Sequence, residues 1–186
     1  MPMDATAVAA VLDRLVPGSG AQALAAIDQP TLVVSADRLA EACRALRDDP
    51  ALGYTALLDI VGVDRQGAEP RFELSYSLLA ADAPARLRVK VRLAGPEPHV
   101  GTVTGIWPSA GFLEREVWDL LGVVFDGHPD LRRLLTPDEW EGHPLRKDYP
   151  VQIGAPVRTY EPIQVTEEQF AERILKSRRV RGSGTR

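Results

Sequence analysis

Three groups of side chains in this chain have types and spacings suited to chemistry. Glu114, Glu116 and Asp119 fall within a single six-residue stretch, and Glu116 and Asp119, three apart on a helix, could act as general acid and base. His99, His128 and His143 are potential metal ligands. Arg88, Lys90 and Arg92 make a basic row that could meet a phosphate backbone. Each group also has an ordinary reading. Helical carboxylates beside arginines are usually ion pairs or docking charges. The histidines match no known ligand spacing, and each adjoins a proline. The basic row suits cross-strand pairing with Glu73 on a wet sheet face. Cys43 lies on an apolar helical stripe and reads as a small core residue rather than a reactive thiol. As the only cysteine, it excludes an internal disulfide and an all-cysteine iron–sulfur cluster. No glycine-rich phosphate loop, dinucleotide fingerprint or nucleophile elbow occurs, so no nicotinamide, flavin or nucleotide site is assigned to this chain.

The elements that position these residues follow from periodicity. Residues 6–16 form an amphipathic helix with Val8, Val11, Leu12 and Leu15 on one side, ended by Pro17-Gly18-Ser19-Gly20. Residues 22–28 and 31–35 are strand candidates. Asp37 is placed as the cap of a helix to about Arg47, with Leu39, Cys43 and Leu46 buried. Residues 56–63 are an almost unbroken apolar run, which fits a strand covered on both faces. Residues 71–79 alternate, with Phe72, Leu74, Tyr76 and Leu78 inward, and the following strand sends Leu87, Val89, Val91 and Leu93 inward. These three strands make an antiparallel meander with one wet face. Residues 95–107 lead into a central helix. Pro108 suits its first turn, Ser109 or Trp107 lies near its cap, and Gly122 suits the left-handed residue after its end. On it, Leu113, Val117, Leu120 and Leu121 share a face, and Arg115 and Asp119 are i,i+4 partners. The expected fold class is α+β: a mostly antiparallel sheet with helices packed on one side, followed by an extended C-terminal tail.

The densest information lies in residues 112–150. Charges there interleave with Phe112, Trp118, Phe125, Trp140 and Tyr149. A solvated loop does not need such aromatics, and a core does not accept unpaired charges. A surface covered by another protein uses both. His128-Pro129, His143-Pro144 and Tyr149-Pro150 hold the chain extended, as a stiff irregular ribbon. This run, with Glu114-Arg115-Glu116, Asp119, His128, Arg132, Leu134-Leu135 and the closing Pro144-Leu145-Arg146-Lys147-Asp148-Tyr149-Pro150, resembles the thirty-kilodalton (C) subunit of proton-pumping NADH:quinone oxidoreductase, respiratory complex I. The resemblance is close from Phe112 to Pro150 and rests on order of elements before them.

That resemblance implies a subunit of the peripheral, cytoplasm-facing arm that binds no redox centre. Flavin, iron–sulfur clusters and quinone are expected in partner subunits. The chain itself is expected to dock on the forty-nine-kilodalton (D)-type subunit and to lie near iron–sulfur subunits. Carried over, Glu114, Arg115, Glu116, Trp118, Asp119, His128, Arg132, Arg133, Pro144, Leu145, Arg146, Lys147, Asp148 and Tyr149 are expected to serve structure and partner docking, with none catalytic.

Size and composition agree with such a part. The 186 residues give one domain, 1–150, plus a partner-wrapping tail, 151–186, in which Thr166 and Gln169 form a capping box ahead of Phe170, Ile174 and Leu175. From Arg173 onward there are six Lys or Arg and no acid. The formal net charge of −4 argues against nucleic acid as the main partner. No apolar run reaches the roughly 18–20 residues that cross a bilayer, and no signal peptide is legible, so membrane contact is expected only through partners, on the cytoplasmic side. With its end at Arg186, the chain is expected to be a separate subunit rather than a fused domain. The alternatives are the equivalent subunit of a membrane-bound hydrogenase or other complex-I-like dehydrogenase and, from another class, a small nucleic-acid-binding module. A hydrolase built on Glu116 and Asp119 has no further support.

Overall fold

The structure, a computed structural model, describes residues 4–82, 85–150, 166–172 and 174. It divides into two compact units, Met1–Tyr149 and Pro150–Arg186. In the first, helix α1 (Ala5–Leu15) is capped by Asp4, whose carboxylate accepts the Ala7 N–H. The strands β1 (Gln22–Leu24) and β2 (Thr31–Val34) follow, then α2 (Leu39–Asp48), β3 (Ala56–Asp64), β4 (Phe72–Ala80), β5 (Ala85–Leu93), β6 (His99–Gly101), α3 (Ala110–Leu121) and β7 (Val124–Asp126). The main sheet has the order β1-β2-β5-β4-β3. All its pairs are antiparallel except β2 with β5. A second, two-stranded sheet pairs β6 and β7 in parallel.

The alternation in β4 and β5 has the expected result. Phe72, Leu74, Tyr76 and Leu78 lie in register with Leu93, Val91, Val89 and Leu87, and all eight are buried against the helices on one side of the sheet. Leu32 and Val34 continue that layer on β2. Val8 and Leu12 from α1 and Leu39, Cys43 and Leu46 from α2 close over it, each fully buried. Leu15, expected on the buried side of α1, is instead 41% exposed.

Two other expectations are corrected. Asp37 does not cap α2: it lies inside a 3-10 turn (Ala36–Arg38) that feeds the helix, and the N-cap residue Arg38 makes no side-chain capping bond. The apolar run 56–63 is not covered on both faces. It is the outer strand β3, and Leu58, Val61 and Val63 are each more than 40% exposed. A bulge between Leu57 and Asp59 displaces Leu58 from the ladder. The parallel β6–β7 pair had no sequence signal, since three-residue strands have too few side chains to show a period.

In the second unit the capping box is present. The Gln169 N–H donates to Thr166 Oγ1, and the Thr166 N–H donates to Gln169 Oε1, at the start of a short helix in which Phe170 is exposed. The expected extended segment 151–165 and basic end 175–186 lie outside the described residues.

Candidate docking surface on helix α3 and its ribbon

Helix α3 is fixed to the edge of the sheet before it presents any charge. The Trp107 indole donates to the Thr55 carbonyl at 3.1 Å, and the Ser109 hydroxyl donates to the Leu57 carbonyl at 3.4 Å rather than capping its own helix. Where α3 crosses β3 the strand carries Gly62. A Cβ there would overlap Leu121 Cδ1 and lie 3.1 Å from Val117 Cγ1, so the absence of a side chain sets the approach. The helix ends at Gly122 in the left-handed conformation (φ 74°), with the His143 ring against its Cα.

The buried stripe of α3 is not the purely apolar one expected. Ala110, Val117 and Leu121 are buried, but so are Glu114, Arg115 and Asp119, whereas Leu113 and Leu120 are only half-buried. The expected Arg115–Asp119 pair does not form. Both residues reach instead across to the segment 128–149, which has almost no regular structure and so cannot satisfy its own backbone.

Asp119 is fully buried and accepts five donors. These are the backbone N–H groups of Leu134 (3.0 Å), Leu135 (2.7 Å) and Thr136 (2.9 Å), the Thr136 hydroxyl, and the Arg133 guanidinium (2.8 Å). Burial pushes this carboxyl up, but those hydrogen bonds, led by Thr136, outweigh it and hold it well below the usual carboxylate range. Arg133 continues the network to the Trp140 and Gly142 carbonyls, and Arg115 donates to the carbonyls of Arg132 and Arg133. Two charges on one helix thus supply the bonds that a missing strand partner would have made.

The histidines are occupied. His128 donates from Nε2 to the Gly111 carbonyl and accepts the Asp130 N–H at Nδ1, which fixes a neutral tautomer and uses both ring nitrogens. His143 donates to the Asp119 carbonyl. Exposed His99 faces Asp126 at 3.2 Å. Among the described residues no group of three or more His, Cys, Asp or Glu is placed to hold a metal ion. Glu114, fully buried, accepts the Val103 N–H and the Thr102 hydroxyl, and burial raises its pKa against those bonds.

The closing segment is held from the sheet. Asp64 at the end of β3 binds Arg71 through both oxygens and accepts the Lys147 N–H, and its carboxyl is held down at about 2, chiefly by Arg71. Arg71 also reaches Asp148 at 2.9 Å, and the Arg71 and Arg146 guanidiniums flank the Phe72 ring at 4.9 and 5.0 Å. The Leu145 N–H donates to the Leu120 carbonyl, next to half-buried Pro144. Tyr149 stacks on Trp140, and Trp118 meets His143 edge-on. What faces outward is Phe112 (65% exposed), Leu135 (62%), Leu145 (55%) and Trp140 (36%), with the charges of Glu116, Arg132 and Lys147.

Most of the candidate residues therefore fall into two sets, with Trp118, Pro144, Arg146 and Tyr149 half-buried between them and Asp148 paired with Arg71. Glu114, Arg115, Asp119, His128 and Arg133 are internal struts, while Glu116, Arg132, Leu145 and Lys147 lie on the outside. Asp64, Arg71, Thr102 and Thr136 were missed. The first two stand 77 or more residues from their ribbon partners, and nothing local marks such contacts. Only Thr136, next to the 134–135 pair, had a nearby clue.

Residues 32–154 match the family model described as the respiratory-chain NADH dehydrogenase, 30 Kd subunit. The C subunit of NADH-quinone oxidoreductase from Azorhizobium caulinodans is 42% identical over 169 residues, covering 87% of this chain and 80% of that protein. Its counterpart from Methylobacterium sp. strain 4-46 is 43% identical with the same coverages. Among solved structures, a trypsin-resistant fragment of Nqo5 superposes with TM-score 0.55 at 33% identity, covering 64% of this chain and 98% of that one. A chain of the membrane-bound sulfane sulfur reductase, an archaeal respiratory membrane complex, superposes with TM-score 0.64 at 25% identity, covering 78% and 85%. With a polar network given over to bracing a ribbon, and with these matches over most of its length, the chain belongs to the family of the 30 Kd subunit of respiratory-chain NADH dehydrogenase, the C subunit of NADH-quinone oxidoreductase.

Proposed function

We propose that this chain is a non-redox scaffold subunit of the peripheral arm of an NADH:quinone oxidoreductase, and that its α3 ribbon docks on the D-type subunit. The observation that carries this reading is the division of labour in residues 112–149. The buried charges all serve the chain itself, while Phe112, Leu135, Trp140 and Leu145 stay exposed on a braced, pre-ordered frame. Rigid aromatic and aliphatic side chains beside charges are the components of protein–protein hot spots, and pre-ordering lowers the entropy cost of binding.

Flavin, iron–sulfur clusters and quinone belong, in this reading, to partner subunits. Among the described residues no helix is long and apolar enough to cross a membrane; in this reading attachment, on the cytoplasmic side, runs through those partners. A tag at the N-terminus, gentle detergent solubilisation and mass spectrometry of what co-purifies test the proposal. Recovery of a D-type subunit and iron–sulfur proteins with NADH-dependent quinone reduction is expected. The same partners with sulfur- or hydrogen-linked activity would move the chain to a sister complex. Recovery of the chain alone, or only with nucleic acid, would overturn the assignment.

A further inference from the structure

The side of the main sheet away from the helices is not a uniform wet face. Register places Val63, Glu73 and Arg92 in one row, Val61, Ser75 and Lys90 in the next, and Asp59, Ser77 and Arg88 in the third. Strand β4 thus lays Glu73, Ser75 and Ser77 between Val63 and Val61 on β3 and Arg92 and Lys90 on β5, with Asp59 and the Asp28-paired Arg88 at one end. Strands about 4.8 Å apart put the β3 and β5 sides of this trough roughly 10 Å from one another. An α-helix, about 10–12 Å across with its side chains, would lie over these rows rather than between them. The three rows cover positions 59–63 of β3, a length of roughly 13 Å.

The charge balance says what the trough would hold. Glu73, at 8% exposure, is shared by three cations: Lys90 at 2.7 Å, Arg92 at 3.3 Å and Arg65 at 3.5 Å. One carboxylate among three cations leaves two positive charges at the Val61–Val63 end for an incoming acid, while at the other end Arg88 is already paired with Asp28 and Asp59 adds a negative charge. The chain's own basic end, from Arg173, carries the wrong sign to supply it. Nucleic acid fits poorly, because the aromatic residues of β4, Phe72 and Tyr76, point into the core and the trough offers no ring for a base to stack on. Val61 and Val63, at 46% and 43% exposure, call for apolar side chains instead.

We infer that this trough is a second docking site, distinct from the α3 ribbon, for an acidic amphipathic helix of another subunit. Its apolar side would lie on Val61 and Val63, and its carboxylates would reach Arg92, Lys90 and Arg65. The inference rests on the chain being a subunit of a larger complex and names the chemistry of one neighbour.

The test places a photo-crosslinking amino acid at Val61 in the intact, membrane-extracted complex, with the same residue at exposed Arg14 on α1 as control. The expected product joins Val61 to a segment of another subunit with Asp or Glu on one helical face and apolar residues on the other. Arg92→Glu, which leaves Glu73 with Lys90 and Arg65, is expected to lower the yield of that product at least fivefold. A cross-link to residues 173–186, a cross-link to nucleic acid, no product above the Arg14 control, or a yield indifferent to Arg92→Glu would each overturn the inference. Failure of the Val61 cross-link within an otherwise complete complex sinks the trough alone, whereas absence of any complex sinks the assignment beneath it.

Discussion

Replacing Asp119 by alanine removes the acceptor shared by three backbone N–H groups, one hydroxyl and one guanidinium. Hydrogen bonds to a charged group contribute about 1.5–3 kcal/mol each, but they are not additive within one network. Once the acceptor is gone, the segment 133–136 can lift off and regain water, which limits the loss. The cost then falls in the range for breaking a buried charge pair, about 3–5 kcal/mol. Because the ribbon has little regular structure of its own, the loss should appear first as local opening rather than global unfolding. Amide hydrogen exchange of Leu134, Leu135 and Thr136 reads this directly. At about 1.4 kcal/mol per tenfold, exchange at those three amides should accelerate by about a hundredfold or more, while core strand amides such as Val89 change far less. Asp119→Asn keeps the shape and loses the charge, so it should fall between alanine and wild type. Unchanged exchange at 134–136 in Asp119→Ala, with a urea-derived loss below about 1 kcal/mol, would refute the claim that this carboxylate braces the ribbon.

Other outcomes follow from the same geometry. Gly62→Ala sets a methyl against Leu121 and Val117 and should cost about 1–3 kcal/mol in urea denaturation, the usual penalty for overpacking, whereas Gly101→Ala, with nothing within 4 Å, should cost under about 1 kcal/mol. Tyr76 is fully buried, and its hydroxyl has no hydrogen-bond partner among the described residues, so Tyr76→Phe should raise stability by about 1 kcal/mol; a clear drop in Tm would contradict this. Asp64 has its carboxyl lowered from 3.8 to about 2 in the folded state, so its contribution is present above the unfolded value and lost as pH falls toward 2. That shift corresponds to about 2 kcal/mol, and Asp64→Asn should flatten the pH dependence of the urea midpoint between about pH 4 and 2.5. Glu114 has the opposite sign: its raised folded pKa means its unfavourable ionisation tells as pH rises above the usual carboxylate value, so Glu114→Gln should lose less stability at pH 7 than at pH 4.

The legible parts of this fold were those whose side chains repeat with a period. The meander β3–β4–β5, the core stripe of α2 and the Gly122 stop all follow from spacing and from backbone chemistry that few residues satisfy. Sequence failed where position in the sheet decides exposure. The run 56–63 looks equally apolar in a central strand or at an edge, and only the order β1-β2-β5-β4-β3 reveals that Val61 and Val63 face outward. The site was legible as a region but not as a mechanism. Spacing on α3 suggested an Arg115–Asp119 pair, yet a neighbouring ribbon with unpaired backbone offered both charges better partners. Asp64 and Arg71 were invisible for a related reason, since chain separation hides a contact that the sheet edge enforces.

The central claim is that the exposed apolar residues of the braced ribbon, not its buried charges, make the contact with the D-type subunit. The double variant Leu135→Glu/Leu145→Glu tests it, because both side chains are more than half exposed and neither supports the core. The variant should keep wild-type Tm and wild-type amide protection at 134–136, yet recover the D-type subunit at less than a tenth of the wild-type yield from tagged, detergent-solubilised membranes. Full recovery of that subunit by a normally folded variant would contradict the account.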